Sequence, residues 1–357
     1  MRYFIKEDDI EQELIDVCMN ELHYDHHFDC MNIDHLHRKN EVEVLNLDVL
    51  RQAIRSVNNE ATDRPQGMTD AEVEQAIDAI RASDLNVDGH ILNQRILTTI
   101  ISGCRMQVLQ SNGHKELRTV HYIDWKEGNA DNNQFDVINQ LWIQGQVYRL
   151  RPDVIVYING IPLVTIELKD SNIPVREAYD NNLTRYKAAI PQIMAYNAFL
   201  VASNATKTRL GSTFADWTYF SPWFRASEDE KADKEQLEAD KTTLDAMARS
   251  LLKKENLLNY IANYILFYKG TNKICAKNHQ FLGVNRAVER FRYLQFGKPK
   301  ADEQGKMGVF WHTQGSGKSF SMVFLARYLK NRFQGNYTFL VITDREDLDD
   351  QIYRNFL

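Results

Sequence analysis

Between Arg151 and Lys169 the chain reads RPDVIVYINGIPLVTIELK, two apolar, β-branched runs on either side of Asn159-Gly160. Asn-Gly accepts the positive φ angles of a tight hairpin turn, so residues 153–158 and 163–168 are expected to form two antiparallel strands. Side chains alternate with period two along a strand, which puts Val164, Ile166 and Leu168 on one face and Thr165, Glu167 and Lys169 on the other. Whether Asp153 joins Glu167 and Lys169 depends on the loop, because facing residues of a hairpin keep a constant index sum. A two-residue Asn159-Gly160 loop pairs Asp153 with Ile166 and sends it to the wrong face. A three-residue loop, Ile158-Asn159-Gly160, returns Asp153 to the face of Thr165 and Glu167, so a shared site requires an odd loop.

The three residues have a chemistry in common. Two carboxylates offer hard oxygen ligands to Mg²⁺, and a lysine beside them can position or deprotonate a water or steady the charge of a phosphorane. An acid, then Glu-x-Lys, is the layout of a metal-dependent nuclease site. The same spacing also occurs on solvated hairpin faces, where it carries no chemistry.

A second segment, FWHTQGSGKS at 310–319, lies between Val309–Trp311, which reads as a strand, and Ser319–Lys330, which reads as a helix; Thr338–Thr343 then reads as the next parallel strand. That βαβ order is the setting a phosphate-binding loop needs. Gly315, Ser316 and Gly317 let backbone N–H groups close on phosphate oxygens, Lys318 reaches the β- and γ-phosphates, and the Ser319 hydroxyl ligates Mg²⁺. His312 occupies the place of the first glycine of the full G-x-x-x-x-G-K-[ST] motif.

The residues around the hairpin carry a wider likeness. Tyr122-Ile123-Asp124, Asp131-Asn132-Asn133-Gln134-Phe135, Arg151-Pro152-Asp153, Asn159-Gly160-Ile161-Pro162 and Ile166-Glu167-Leu168-Lys169 resemble the nuclease domain of the restriction (R) subunit of type I restriction enzymes. The similarity continues through Tyr186, Tyr196-Asn197, Ser203-Asn204 and Asp216-Trp217. It implies a restriction-endonuclease-like α/β domain of the PD-(D/E)xK type, with Tyr186 at the site and a glutamate of the first helix directed to the metal. Glu11 is the better match for that glutamate and Glu13 the fallback. Where the family has a Gln four residues before the helical Tyr, this chain has Asn182. The Gly315–Ser319 loop resembles motif I of superfamily 2 helicases and translocases, so the resemblance implies the beginning of a RecA-like P-loop domain that binds ATP. Gln280 resembles the glutamine that reads adenine in such motors, and Val341–Arg345 with Leu348 and Gln351 resembles their next motif.

The likeness implies an organisation: a nuclease domain over 1–225 with a helical arm near 41–95, a charged linker or helix over 226–250, and an incomplete first motor domain over 251–357. Leu251–Tyr268 reads as one or two amphipathic helices leading into that motor. The implied function is that of the DNA-cleaving, ATP-dependent DNA-translocating subunit, as an N-terminal piece whose motor lacks its later motifs. The implied partners are duplex DNA and the methyltransferase and specificity subunits. Two other readings stay open: a nuclease-inactive docking fragment, and a helicase-type ATPase with a merely structural hairpin.

Composition narrows the remaining options. No apolar run approaches the roughly 20 residues that span a bilayer and MRYFIKEDDIEQ is no signal peptide, so a cytoplasmic protein is expected. Cys18, Cys30, Cys104 and Cys275 form no C-x-x-C pair and suggest no disulfide framework. The formal net charge of −6 leaves any attraction to DNA to local basic patches or to partner subunits. His23, His26, His27, Cys30, His35 and His37 match no zinc spacing and read as a surface helix followed by a polar loop.

Overall fold

The computed structural model describes residues 4–28, 38, 40–82, 84–226, 242–268 and 272–342. Helix α1 (Glu7–Asp16) leads to strand β1 (Asp25–Phe28), and helices α2 (Leu47–Val57), α3 (Asp70–Ile80) and α4 (Gly89–Ser102) follow. A hairpin of β2 (Cys104–Leu109) and β3 (Lys115–Val120) precedes β4 (Phe135–Asn139), and β5 (Ile143–Gln144) with β6 (Arg149–Leu150) forms a short tongue. Then come β7 (Val154–Ile158) and β8 (Ile161–Leu168), a π-helical turn (Ala178–Leu183) running into α5 (Thr184–Ala189), α6 (Pro191–Met194), β9 (Phe199–Ser203), β10 (Thr208–Gly211) and β11 (Ser221–Pro222). The rest is α7 (Thr243–Leu251), α8 (Lys254–Asn263), a hairpin of β12 (Ile265–Tyr268) and β13 (Asn272–Cys275), α9 (Asn278–Phe296) and α10 (Lys318–Arg332).

The central sheet has seven strands in the order β1-β4-β7-β8-β9-β10-β11. It is mixed: β1 pairs parallel with β4 and β8 parallel with β9, and the other neighbours are antiparallel. Residues Val154–Ile158 and Ile161–Leu168 are buried throughout, as central strands covered on both faces must be. A sheet of this kind holds the ends of β7 and β8 rigidly relative to α1 and α5.

The hairpin forms, but its loop is not the odd one that the shared site requires. Asn159 (φ 51) and Gly160 (φ 78) make a two-residue turn, with Ile158 facing Ile161 and Tyr157 facing Pro162. Beyond them Val156 faces Val164 and Val154 faces Ile166, so Leu163 is an extra residue, a β-bulge. The bulge supplies the one-residue shift expected of the loop. Continued by one step, this register sets Asp153 opposite Glu167 on the same face.

The turn cannot lengthen, because its neighbours grip it. Asn159 takes the Gln134 N–H on Oδ1 at 2.8 Å and donates through Nδ2 to the Tyr122 carbonyl and to Asn133 Oδ1, both at 2.9 Å. Gly160 accepts from the Asn46 N–H, and a Cβ there would lie 2.4 Å from the Asn46 carbonyl oxygen. Much of the Tyr122, Asn133, Gln134 and Asn159-Gly160 pattern thus frames the turn, at the end of the hairpin away from Asp153.

The helices near 41–95 pack onto the core of the sheet. Ile54, Ile77, Ile80, Ile96, Leu97 and Ile100 are fully buried in one core with the sheet, and Asn93 Nδ2 donates to the carbonyls of Met194, Ala195 and Asn197. Thr69 opens α3 with a full capping box to Glu72. His26 and His27 lie on strand β1 rather than on a helix, because their main chain completes a parallel ladder with Asp136–Asn139. Cys30, His35 and His37 lie outside the described residues.

The C-terminal part departs most from the sequence reading. Of Leu251–Tyr268, the end folds as strand β12, the β-rich ILFY pairing with Asn272–Cys275. The helix after the phosphate loop forms as α10, one residue earlier than read. Neither Val309–Trp311 nor the described part of the second run, 338–342, is a strand. A parallel strand exists only within a ladder, and among the described residues these runs have no partner. Val309, Trp311, Leu340 and Ile342 are instead 93, 79, 82 and 84 % exposed. Residues 227–241 and 343–357, including Asp344, Arg345, Leu348 and Gln351, lie outside the described residues. Among the described residues no helix is long and apolar enough to cross a membrane, and Cys18, Cys104 and Cys275 are free thiols.

Candidate functional site

Asp153, Glu167 and Lys169 converge where β7 begins and β8 ends. Asp153 Oδ2 accepts the Leu168 N–H at 2.7 Å, which locks the aspartate across the strand end. Lys169 Nζ lies 3.4 Å from Glu167 Oε1 and donates to the Leu168 carbonyl at 2.6 Å. Glu167 is fully buried and Asp153 is 6 % exposed, so the pair has little water to solvate its charge.

Tyr186 joins this group from α5. Its hydroxyl donates to Glu167 Oε2 at 2.9 Å and reaches the Arg151 carbonyl at 3.4 Å. Asn182, one turn earlier, lies near the same hydroxyl and opposes the rise of its pKa that burial causes. Glu11 approaches from α1 with both oxygens committed: Oε1 accepts from Asn139 Nδ2 at 2.7 Å and Oε2 from Gln140 Nε2. The Gln140 N–H in turn donates to the Asp153 carbonyl at 2.8 Å.

Sequence reasoning missed Glu7, whose Oε2 lies 3.5 Å from Lys169 Nζ. The signal was present, since Glu7 and Glu11 are one turn apart on the face that buries Ile10 and Leu14. Helix α1 opens at Lys6, which provides no side-chain cap; the Glu7 N–H is taken instead by Asp170 Oδ1 at 2.7 Å, just past Lys169. Ile5 and Ser171 add two further bonds, N–H to Oγ and N–H to carbonyl, so the start of α1 is stitched to the end of β8.

The electrostatics follow from this crowding. Burial pushes the Asp153 carboxyl up to about 6, with the acids Glu7 and Glu11 adding to it and the Leu168 N–H and Lys169 opposing. Glu167 is raised well above the ordinary range, first by burial and then by Asp153. Burial disfavours the Lys169 ammonium, yet Glu167, Asp153 and Glu7 together outweigh it and hold the lysine charged. Acid exceeds base here, so the pocket favours a proton or an added cation.

The donor set suits a hard dication. Asp153 Oδ1 has no hydrogen-bond partner among the described residues, and Glu167 faces it with an oxygen held only by a long contact to Lys169. Among the described residues no group of three or more His, Cys, Asp or Glu stands in a metal-holding arrangement, so the candidate is a carboxylate pair. Mg²⁺ is commonly held by one or two carboxylates with waters completing its shell.

The glycine-rich loop at 315–319 is a separate cluster. Gly315 (φ 77) and Gly317 (φ 89) take left-handed conformations, and Gly317 opens α10. Lys318 Nζ folds back onto the carbonyls of His312 at 2.7 Å and Thr313 at 3.0 Å. Gln280, far upstream, does reach the loop: its Nε2 donates to the Gly317 carbonyl at 2.8 Å, while His279 contacts the Ser316 carbonyl at 3.1 Å. The Ser316 hydroxyl is buried without a partner, and that of Ser319 bonds no described residue.

Residues 4–219 match the family described as type I restriction enzyme R protein N terminus, and residues 279–357 match the SWI2/SNF2 ATPase family. The type I restriction enzyme HindI endonuclease subunit of Haemophilus influenzae is 34 % identical over 324 residues, 88 % of this chain and 29 % of that protein. The putative MjaIXP endonuclease subunit of Methanocaldococcus jannaschii is 34 % identical over 294 residues, 76 % of this chain and 27 % of its own length. A Staphylococcus aureus endonuclease subunit, SauCOLORF180P, is 29 % identical over 226 residues, 63 % and 22 % of the two chains. The chain therefore spans under a third of the length of the curated relatives it matches.

Proposed function

Because the chain belongs to the family of type I restriction enzyme R protein N termini, we propose that its hairpin site hydrolyses phosphodiester bonds of duplex DNA with Mg²⁺, and that its phosphate loop binds ATP. The observation that carries the first half is the convergence of Asp153, Glu167 and Lys169 through the Leu163 bulge. A merely structural hairpin has no need of two buried, underneutralised carboxylates. This reading makes the domain a PD-(D/E)xK nuclease over residues 1–225, followed across 226–250 by the start of a P-loop motor over 251–357.

Asp153 and Glu167 hold the cation, with Glu7 and Glu11 close behind them. Mg²⁺, when bound, polarises the phosphoryl group and lowers the pKa of a ligated water. Lys169, kept charged by its carboxylate neighbours, acts as a donor: it orients the incoming water or stabilises charge on the phosphorane oxygens, rather than serving as the base. Water adds at phosphorus and gives up a proton to solvent, the P–O3′ bond breaks, and the leaving oxygen takes a proton from solvent. Tyr186 fixes the orientation of Glu167 by its hydroxyl bond.

At the loop, Gly315 to Ser319 would supply backbone donors, Lys318 would turn from its own carbonyls to the β- and γ-phosphates, Ser319 would offer a ligand to Mg²⁺, and Gln280, which bonds the Gly317 carbonyl, would turn to the adenine. In company with methyltransferase and specificity subunits, these parts would serve ATP-driven translocation on duplex DNA. The decisive test is Mn²⁺ binding to the chain, followed by the metal's spectroscopic signal. Wild type should bind one tight ion that is lost in Asp153→Asn/Glu167→Gln; equal binding by both proteins would refute the nuclease site.

A further inference from the structure

A chain with net charge −6 that presents buried acids to DNA must neutralise the backbone near the cut, and the cations for this are found on the tongue beside the site. The tongue runs from Trp142 through β5 and β6 to Arg151, two residues before Asp153. Its tip is exposed and apolar, with Val147 at 77 % and Tyr148 at 55 %. Arg151 lies over the Trp142 ring, 5.2 Å from its centroid. Arg185, on α5 immediately before Tyr186, lies over the Tyr148 ring at 5.4 Å.

These two arginines differ from their neighbours. Arg149 also stacks on Trp142, at 4.1 Å, but is paired with Glu41, and Arg176 is paired with Asp180. Arg151 and Arg185 are exposed and have no carboxylate partner among the described residues. An arginine laid on an aromatic face keeps its N–H fork directed and unspent, which suits bidentate capture of a phosphate. The tongue is also held in place. Gly145 packs so closely on the end of α5 that a Cβ would lie 1.8 Å from the Ala189 carbonyl oxygen, the Gly145 N–H closes a turn onto the Tyr148 carbonyl at 2.8 Å, and Gln192 Nε2 grips the Gln144 carbonyl at 2.8 Å.

The geometry points to this tongue and the adjoining face of α5 as the surface that seats duplex DNA at the site, Arg151 and Arg185 each taking a backbone phosphate and Tyr148 contacting the groove between them. What is cut there rests on the nuclease reading above; what is bound does not.

The test is fluorescence anisotropy of a labelled mixed-sequence duplex with the whole 357-residue chain, in EDTA so that nothing is cut. Arg151→Ala/Arg185→Ala should weaken binding roughly tenfold or more at about 50 mM salt and lower the slope of log K against log salt by about 2, near 0.9 for each phosphate no longer neutralised. Arg176→Ala, which removes an already paired arginine, should change neither. Tyr148→Ala should weaken binding severalfold with the slope unchanged, because it carries no charge. Circular dichroism melts establish that each variant is folded. An unaltered affinity and slope in the double variant, or no binding by wild type, overturns the proposal. Failure of the nuclease reading appears elsewhere, as Mn²⁺ binding indifferent to Asp153→Asn/Glu167→Gln.

Discussion

The hairpin site and the glycine-rich loop at 315–319 are both short motifs flanked by apolar runs, yet the chain treats them differently. Around the hairpin the runs are interior strands of a seven-stranded sheet, and every residue from Val154 to Ile158 is buried. Around the loop Val309, Trp311, Leu340 and Ile342 face outward, and Lys318 is spent on its own carbonyls. A motif supplies reactive groups, but the ladder behind it supplies their positions. Where the ladder is present, one bulge suffices to bring three side chains together; where it is not, the glycines and lysine adopt the conformation that satisfies them locally.

That contrast can be broken most forcefully at the loop. No carboxylate or arginine side chain bonds the Gly315–Ser319 loop among the described residues, and an arginine acting on the γ-phosphate alone is worth roughly 10³ to 10⁵ in rate. The 357-residue chain should therefore show no ATP turnover above buffer, with or without duplex DNA. Hydrolysis that rises with DNA and vanishes in Lys318→Ala would mean that the loop is better supported than its surroundings suggest.

In the assembled enzyme, Lys169→Ala should lower DNA cleavage by about 10² to 10⁴ while ATP hydrolysis stays within twofold, since groups that act on the reacting proton or charge contribute on that scale. A parallel fall in ATP turnover, with the protein still folded, would erase the separation of the two sites. Core substitutions sharpen the same comparison. Ile155→Ala, in the middle of β7, should cost about 2–5 kcal/mol by chemical denaturation. Val309→Ala should stay within about 0.5 kcal/mol, as exposed positions do.

The buried carboxyl of the hairpin site adds a pH dependence. Asp153 titrates at about 6 in the folded chain against an ordinary 3.8, so the fold favours its protonated form. The stability this contributes is complete below about pH 4 and is lost as the pH rises through 6, an amount on the order of 3 kcal/mol. Asp153→Asn should therefore raise the melting temperature of the metal-free chain at pH 7–8 and leave it unchanged near pH 4. A destabilised variant at neutral pH would show that the Leu168 bond, and not the buried charge, dominates at this residue.

Much of the site was legible because it is local. The Asn159-Gly160 turn, the alternation that joins Glu167 to Lys169, the helix after Gly317 and the match of Tyr186 all lie within short windows of sequence. The bulge at Leu163 was not legible, since one extra residue in an unbroken apolar run leaves no mark in composition and yet decides which face Asp153 occupies. Nor was the parallel pairing of β1 with β4, a long-range ladder that overrides the polar look of Asp25–Phe28. The strands expected at Val309–Trp311 and 338–342 failed for the converse reason: extended propensity without a neighbour builds no strand.

The cap that Asp170 places on α1 also sets an order of events in time. Sequence separates the two partners by 163 residues, so a chain emerging from the ribosome at roughly 5–20 residues per second exposes the helix bearing Glu7 and Glu11 for about 10–30 s before its terminal N–H can be satisfied. Until β8 has been synthesised and paired, the acids of α1 and the acids of the hairpin belong to different, unconnected stretches of nascent chain. The proposed site therefore cannot mature before Asp170 has been made, and a polypeptide released earlier holds no part of it in working order.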